Sequence, residues 1–122
     1  MRLLSPAFAL CLVLAPMAAS AQTYLLMAEE KGCYWCARWN TEIAAIYPKT
    51  AEGRTAPLQR YDVHSDTPDV AFERRVSFTP TFLLVKDGQE VGRIEGYPGE
   101  EFFWGLLTMM LNEARIPLAT ED

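Results

Sequence analysis

Two cysteines lie two residues apart in Lys31-Gly32-Cys33-Tyr34-Trp35-Cys36-Ala37-Arg38, just after an apolar run and at the start of a helical pattern. On a helix this spacing puts both thiols on one face, about one turn apart. Their sulfurs can close a small ring. A ring this small constrains little unfolded chain and adds little stability, so the pair suits a bond that forms and breaks. At a helix N-terminus, unpaired N–H groups and the macrodipole favour thiolate over thiol. Cys33 would stand at that end with access to solvent, as the attacking thiol. Cys36, one turn inside and shielded, would resolve.

Other chemistries of paired thiols fit less well. A zinc site usually takes four N or S ligands. Beyond the motif, and apart from Cys11 in the N-terminal apolar run, the chain has only His64 to add. C-type haem attachment needs His after the second cysteine, where this chain has Ala37. Copper(I) carriage suits soft thiolates, although no Met lies within the motif. A disulfide-donating oxidase is the other alternative to a reductant. An inert adaptor would not need both thiols. His64, the only histidine, follows the second predicted strand and reads as a surface residue. Tyr34 and Trp35 read as an apolar rim for a partner, or as packing at the helix start. Arg38 either lowers a thiol pKa by its charge or is solvated. Trp39 and Trp104 read as core or semi-core, and Met109-Met110 as core.

The elements that must position these residues follow from periodicity. Tyr24–Ala28 is a buried strand. Residues 29–32 turn out of it. From Cys33, positions at Cys36, Trp39 or Asn40, Ile43 and Ile46-Tyr47 recur at three- and four-residue steps and predict a helix that Pro48 ends. Residues 49–57 read as a loop. Leu58–Val63 alternates as a second strand. Thr67-Pro68 resembles an N-cap with proline at the first helical position, which predicts a helix over Pro68–Arg75. Thr81–Lys86 is the strongest strand. Asp87-Gly88 signals a hairpin, with Gln89–Glu95 returning. Glu100–Arg115 is amphipathic, with Phe103, Leu106, Leu107, Met110 and Ala114 on one face and Phe102 and Leu111 beside it. Glu100 and Glu101 at its start and Arg115 at its end suit the dipole. The order β-α-β-α-β-β-α predicts an α/β fold, a mixed four-stranded sheet with helices on both faces.

The 122 residues need not all belong to the mature protein. Residues 1–21 read as a cleaved secretory leader: Arg2, an apolar run broken by Pro6 and Pro16, and the site Ala19-Ser20-Ala21. A membrane anchor would need a longer run and a basic flank. Leu10 before Cys11 is too bulky for a lipoprotein site, so Cys11 should leave with the leader. Residues 22–122 then form one small domain. Losing Arg2 takes the net charge from −5 to −6, and no basic patch points to nucleic acid or an anionic membrane.

This order, with the C-x-x-C after the first strand and Thr79-Pro80-Thr81 about 44 residues on at the head of a strand, resembles the thioredoxin superfamily over nearly the whole mature chain. The resemblance implies a cis proline at Pro80, with its loop facing the dithiol. It also implies a Thr79 backbone free to bind an extended substrate segment. Without the C-x-x-C, Thr79-Pro80 would read as an ordinary strand-entry turn. The stretches Gly32–Trp39, Ile46–Gly53 and Gly92–Glu100 are similar to the periplasmic SoxS-type thioredoxins of the bacterial sulfur-oxidation (Sox) system. That likeness implies a monomeric periplasmic thiol-disulfide oxidoreductase with no cofactor besides its Cys33–Cys36 disulfide. It implies reduction of a cysteine of the carrier complex SoxYZ and recharging by a membrane thiol transporter of CcdA or DsbD type. Two departures from ordinary thioredoxin stand out. Tyr34-Trp35 replaces Gly-Pro between the cysteines. Met27 occupies the position of the family's buried acid, with Glu29 and Glu30 nearby at the strand end.

Overall fold

The computed structural model describes residue 3, residues 11–15 and residues 22–120. The expected leader boundary at Ala21 lies outside them. Four strands form one sheet: β1 (Thr23–Glu29), β2 (Leu58–Asp62), β3 (Thr81–Lys86) and β4 (Gln89–Glu95), ordered β2-β1-β3-β4. β1 runs parallel to β2 and antiparallel to β3, and β3 runs antiparallel to β4. The two central strands are buried on both faces, which is why their sequences read as unbroken apolar runs. Leu25, Met27, Phe82 and Leu84 point to one cluster, and Leu26, Ala28, Leu83 and Val85 to the other. At the β3–β4 turn Asp87 and Gly88 both have positive φ, 51° and 77°, the pair of conformations a two-residue hairpin of this hand requires.

Between β1 and β2 the expected single helix is a chain of shorter pieces. α1 (Tyr34–Trp39) passes into a π-helical turn over Asn40–Ala44, and Tyr47–Lys49 forms a 3₁₀ turn with Pro48 inside it. Cys36, Trp39, Ile43 and Tyr47 are buried as the spacing predicted, while Asn40 and Ile46 face water. Residues 49–57, expected as a loop, contain a short helix, α2 (Ala51–Thr55). Thr50 caps it, its Oγ1 accepting from the Gly53 N–H at 3.0 Å. The buried Tyr47 hydroxyl donates to the Ala56 carbonyl at 2.6 Å and closes the turn. Gly53 has no alternative here, because a Cβ would sit 1.7 Å from the Tyr47 carbonyl oxygen.

The helix expected over Pro68–Arg75 is absent, which corrects both the element order and the expectation of helices on both faces. α1, Ile43 and Tyr47 of the turns after it, Ala56 just past α2, and α3 (Glu100–Glu113) all contribute to the cluster on one face. The other face is covered by residues 63–76, which have no helix: Val63, Val70, Phe72 and Val76 pack on Leu26, Ala28, Tyr61, Leu83 and Val85. The reason lies in what the segment can reach. Ala71 N–H donates to Gly88 O at 2.8 Å and Ala71 O accepts from Glu90 N–H at 3.1 Å, pairing the segment with the open edge of β4. Val70 and Phe72 flank that bridge with the period-2 spacing of extended chain. Arg93 then fastens the next turn, donating to the carbonyls of Arg74 at 2.9 Å and Arg75 at 3.1 Å. These long-range partners outweigh the local cap signal.

α3 ends two residues earlier than the periodicity predicted. Phe103, Leu107, Met110 and Leu111 are its buried residues, whereas Phe102 is exposed and Leu106, Trp104 and Ala114 are partly buried.

Candidate functional site

β1 delivers the chain to a turn at residues 30–32, and the dithiol follows. Cys33 is the residue before α1 and the cap of its first turn. Its Sγ accepts the Cys36 N–H at 3.1 Å, and its own N–H donates to Glu30 O at 3.4 Å. The two sulfurs are bonded to each other, with the Cα atoms 5.2 Å apart. Cys36 is buried at 4% exposure and belongs to the core cluster, while Cys33 stays partly open. The asymmetry expected from the spacing is therefore present. In the reduced state a negative charge on Cys33 would accept the same N–H as a charge-assisted bond, which favours thiolate.

Tyr34 and Trp35 form the exposed rim above the dithiol, their rings edge to face at 5.0 Å. Arg38 belongs to this rim. Its Nε donates to Glu42 Oε1 at 2.8 Å, its Nη1 to the Tyr34 hydroxyl at 3.3 Å, and its guanidinium lies 5.9 Å from the Trp35 ring centre. Its charge is thus committed to the outer face.

Thr79-Pro80 enters β3 through a cis peptide bond. Pro80 is buried, with its carbonyl accepting the Gly96 N–H at 2.7 Å. Among the described residues neither the N–H nor the C=O of Thr79 is taken by another backbone group. The loop is displayed beside an exposed Phe78, which sequence reasoning did not single out.

Acidic groups that the sequence left unassigned line the dithiol cleft: Glu29, Glu30 and Asp62, together with Lys31. Glu29 pairs with Arg60 at 2.7 Å. Glu30 accepts from Thr79 Oγ1 at 2.7 Å on one carboxylate oxygen and meets His64 Nε2 at 2.6 Å with the other. These contacts hold its pKa below the ordinary carboxylate range, the Thr79 bond first and the His64 bond second. The signals for Glu30 were its place three residues before Cys33 and its nearness, with Glu29, to the buried-acid position that Met27 fills. His64 is exposed, as expected, but it is not isolated. Met27 is fully buried, and Arg60 lies over it with Nη1 at 3.5 Å from its sulfur. No group of three or more His, Cys, Asp or Glu side chains among the described residues could hold a metal ion.

A half-open thiol bonded to a buried one, at the head of a helix that packs on a β2-β1-β3-β4 sheet, is an arrangement that families of known proteins share. The model of the thioredoxin-like domain family matches residues 14–110. The chain belongs to that family, and it is a thiol-disulfide oxidoreductase acting through the Cys33–Cys36 pair. Among solved structures it is similar to the periplasmic thioredoxin SoxS from Paracoccus pantotrophus in its reduced form. The two are 49% identical with a TM-score of 0.74, over 76% of this chain and 99% of that one. No curated protein matches the sequence. Among the described residues no helix is long and apolar enough to cross a membrane.

Proposed function

We propose that residues 22–122 form a monomeric periplasmic thioredoxin, exported by a leader at residues 1–21, that reduces a cysteine of the sulfur-carrier complex SoxYZ. The observation that carries this reading is the dithiol's asymmetry, an accessible Cys33 on the Cys36 N–H above a buried Cys36. The likeness to a periplasmic SoxS supports the compartment and the partner class. Tyr34 and Trp35 offer apolar contact to the partner, and Thr79 offers its unpaired backbone, held at Pro80, to an extended segment.

The reaction runs in two exchanges. Cys33 thiolate attacks one sulfur of the substrate disulfide, that S–S bond breaks, and the other sulfur leaves as thiolate. Cys36 then loses its proton and attacks Cys33 Sγ, expelling the second substrate thiolate. Two electrons have passed to the substrate, its thiolates take protons from water, and the protein holds the Cys33–Cys36 disulfide. A dithiol donor of the CcdA or DsbD class resets it.

The test uses two variants and the purified oxidised carrier. Cys36→Ser should accumulate a mixed disulfide through Cys33, and Cys33→Ser should be inert. Reduced wild type should restore SoxYZ thiols, counted by alkylation. Activity surviving in Cys33→Ser would overturn the nucleophile assignment, and unchanged SoxYZ thiols would remove the partner. Equilibration against a glutathione series fixes direction: a reductant belongs near −270 mV and a disulfide donor near about −120 mV.

A further inference from the structure

Glu30 is the one residue that lines both the dithiol cleft, with Cys33 and Cys36, and the neighbouring cleft, with Phe78, Thr79 and His64. Its backbone carbonyl accepts the Cys33 N–H at 3.4 Å. Its side chain spans three segments that are distant in sequence: the turn before Cys33, the end of β2 through His64, and the cis-proline loop through Thr79. The other acids of the cleft are committed elsewhere, Glu29 to Arg60 and Asp62 to the His64 N–H at 2.8 Å.

We propose that Glu30 is a positioning residue for substrate binding, which clamps the Thr79-Pro80 loop to the dithiol turn by accepting the Thr79 hydroxyl. The inference rests on the reading that this loop binds substrate backbone. Thr79 is partly exposed, and its N–H and C=O have no backbone partner. Its side-chain bond to Oε1 at 2.7 Å ties the residue that carries those groups to the turn before Cys33. His64 at 2.6 Å holds Oε2 and so sets the plane of the carboxylate. Orienting a binding backbone before the substrate arrives removes part of the ordering cost of association. The effect should therefore fall on substrates that lay an extended segment across the loop, and not on small disulfides that need only reach Cys33.

The experiment is steady-state reduction of native insulin disulfides with dithiothreitol as electron source, beside single-turnover reduction of a small aryl disulfide by the pre-reduced protein with no other thiol present. Glu30→Ala should raise KM for insulin about fivefold, the scale of one lost hydrogen bond, with kcat and the aryl disulfide rate unchanged. Thr79→Val should raise the insulin KM by a similar factor, and the double variant should be no worse than either, because both remove one bond. Glu30→Gln keeps an acceptor for Thr79 and should stay near wild type. Equal losses on both substrates, additive losses in the double variant, or no change in Glu30→Ala would each overturn the clamp. Pro80→Ala, checked for folding by circular dichroism, separates the two layers. If it raises the insulin KM while Glu30→Ala does not, the loop binds substrate and only the clamp falls. If neither moves KM, the loop reading falls as well.

Discussion

Removing the Arg93 side chain should cost this domain more than any other single charged substitution. Arg93 and Glu90 face each other with side chains only 4% and 1% exposed. The contact is bidentate, Nη2 to Oε1 at 2.5 Å and Nε to Oε2 at 3.0 Å. The same guanidinium holds the carbonyls of Arg74 and Arg75, and hydrogen bonding with Glu90 is the first cause of its raised pKa. Arg93→Met keeps the aliphatic stem and takes away the charge. It leaves Glu90 buried with one remaining donor, the Glu73 N–H at 3.3 Å. Stranding one member of a buried pair costs about 3–5 kcal/mol. For a domain near 100 residues, where 1 kcal/mol moves Tm by about 4–8 °C, the low end of that range is a fall of about 12 °C or more. The two freed carbonyls belong to exposed residues and can turn to water, so they add little. Thermal unfolding of the oxidised protein by circular dichroism measures the effect. The double variant Glu90→Leu/Arg93→Met, with no stranded charge, should recover most of the loss, since a buried pair and an apolar replacement are often close in energy. A single variant melting within about 5 °C of wild type would refute the reasoning, as would a double variant no better than the single.

Two further predictions concern the turn under the helical segment. Burial, then the charge of Glu52, raises the Tyr47 pKa well above its ordinary value of 10.0. The folded state thus favours the neutral phenol. That stability is complete below pH 10, and it is lost as pH rises toward the folded pKa. Urea unfolding at pH 8, 10 and 11 should show stability falling, and Tyr47→Phe should flatten the fall while costing about 1 kcal/mol at neutral pH. Tyr24, Tyr61 and Tyr97 are also raised by burial, so some slope will remain; an unchanged slope would refute the assignment. Gly53→Ala should lower Tm by about 8 °C or more, because its Cβ would meet backbone 1.7 Å away. Gly105→Ala, on α3 with nothing within 4 Å, should raise it slightly. Melting curves of the two variants side by side check both signs.

The strands, the hairpin and α3 were legible because each carries a period matched to a buried surface. Tyr24–Ala28 and Thr81–Lys86 read as unbroken apolar runs and are buried on both faces. Asp87-Gly88 marked its own turn. The dithiol was legible for a different reason: two thiols at this spacing have few other uses. What failed was the element whose ends looked best. Thr67-Pro68 has the chemistry of a helix start, yet Val70 and Phe72 alternate, and they were the better guide. The α2 helix was missed because Gly53 reads as a loop residue. Its reason is a close approach to the Tyr47 carbonyl, which only the folded turn reveals. Glu30 was illegible because its partners Thr79 and His64 lie 49 and 34 residues away.

The fold's second face and its chemistry are linked. A four-residue ring such as Cys33–Cys36 restrains the unfolded chain by about 2 kcal/mol, against about 4.7 kcal/mol for a 100-residue loop. The domain must stay folded with that bond open, since opening it is the reaction. Stability therefore has to come from elements that do not change with redox state. One is the cluster beneath α1 and α3. Another is residues 63–76, laid on the opposite face by the Ala71 bridge to β4 and by Arg93. This second cover leads directly into Phe78-Thr79-Pro80. A helix there would satisfy its own carbonyls. An extended segment leaves Arg74 and Arg75 carbonyls to be met from β4, and so ties the approach to the Thr79-Pro80 loop to the sheet itself. The same residues that seal the second face thereby anchor one side of the Thr79-Pro80 loop, and the Glu30 carboxylate holds Thr79 on the other.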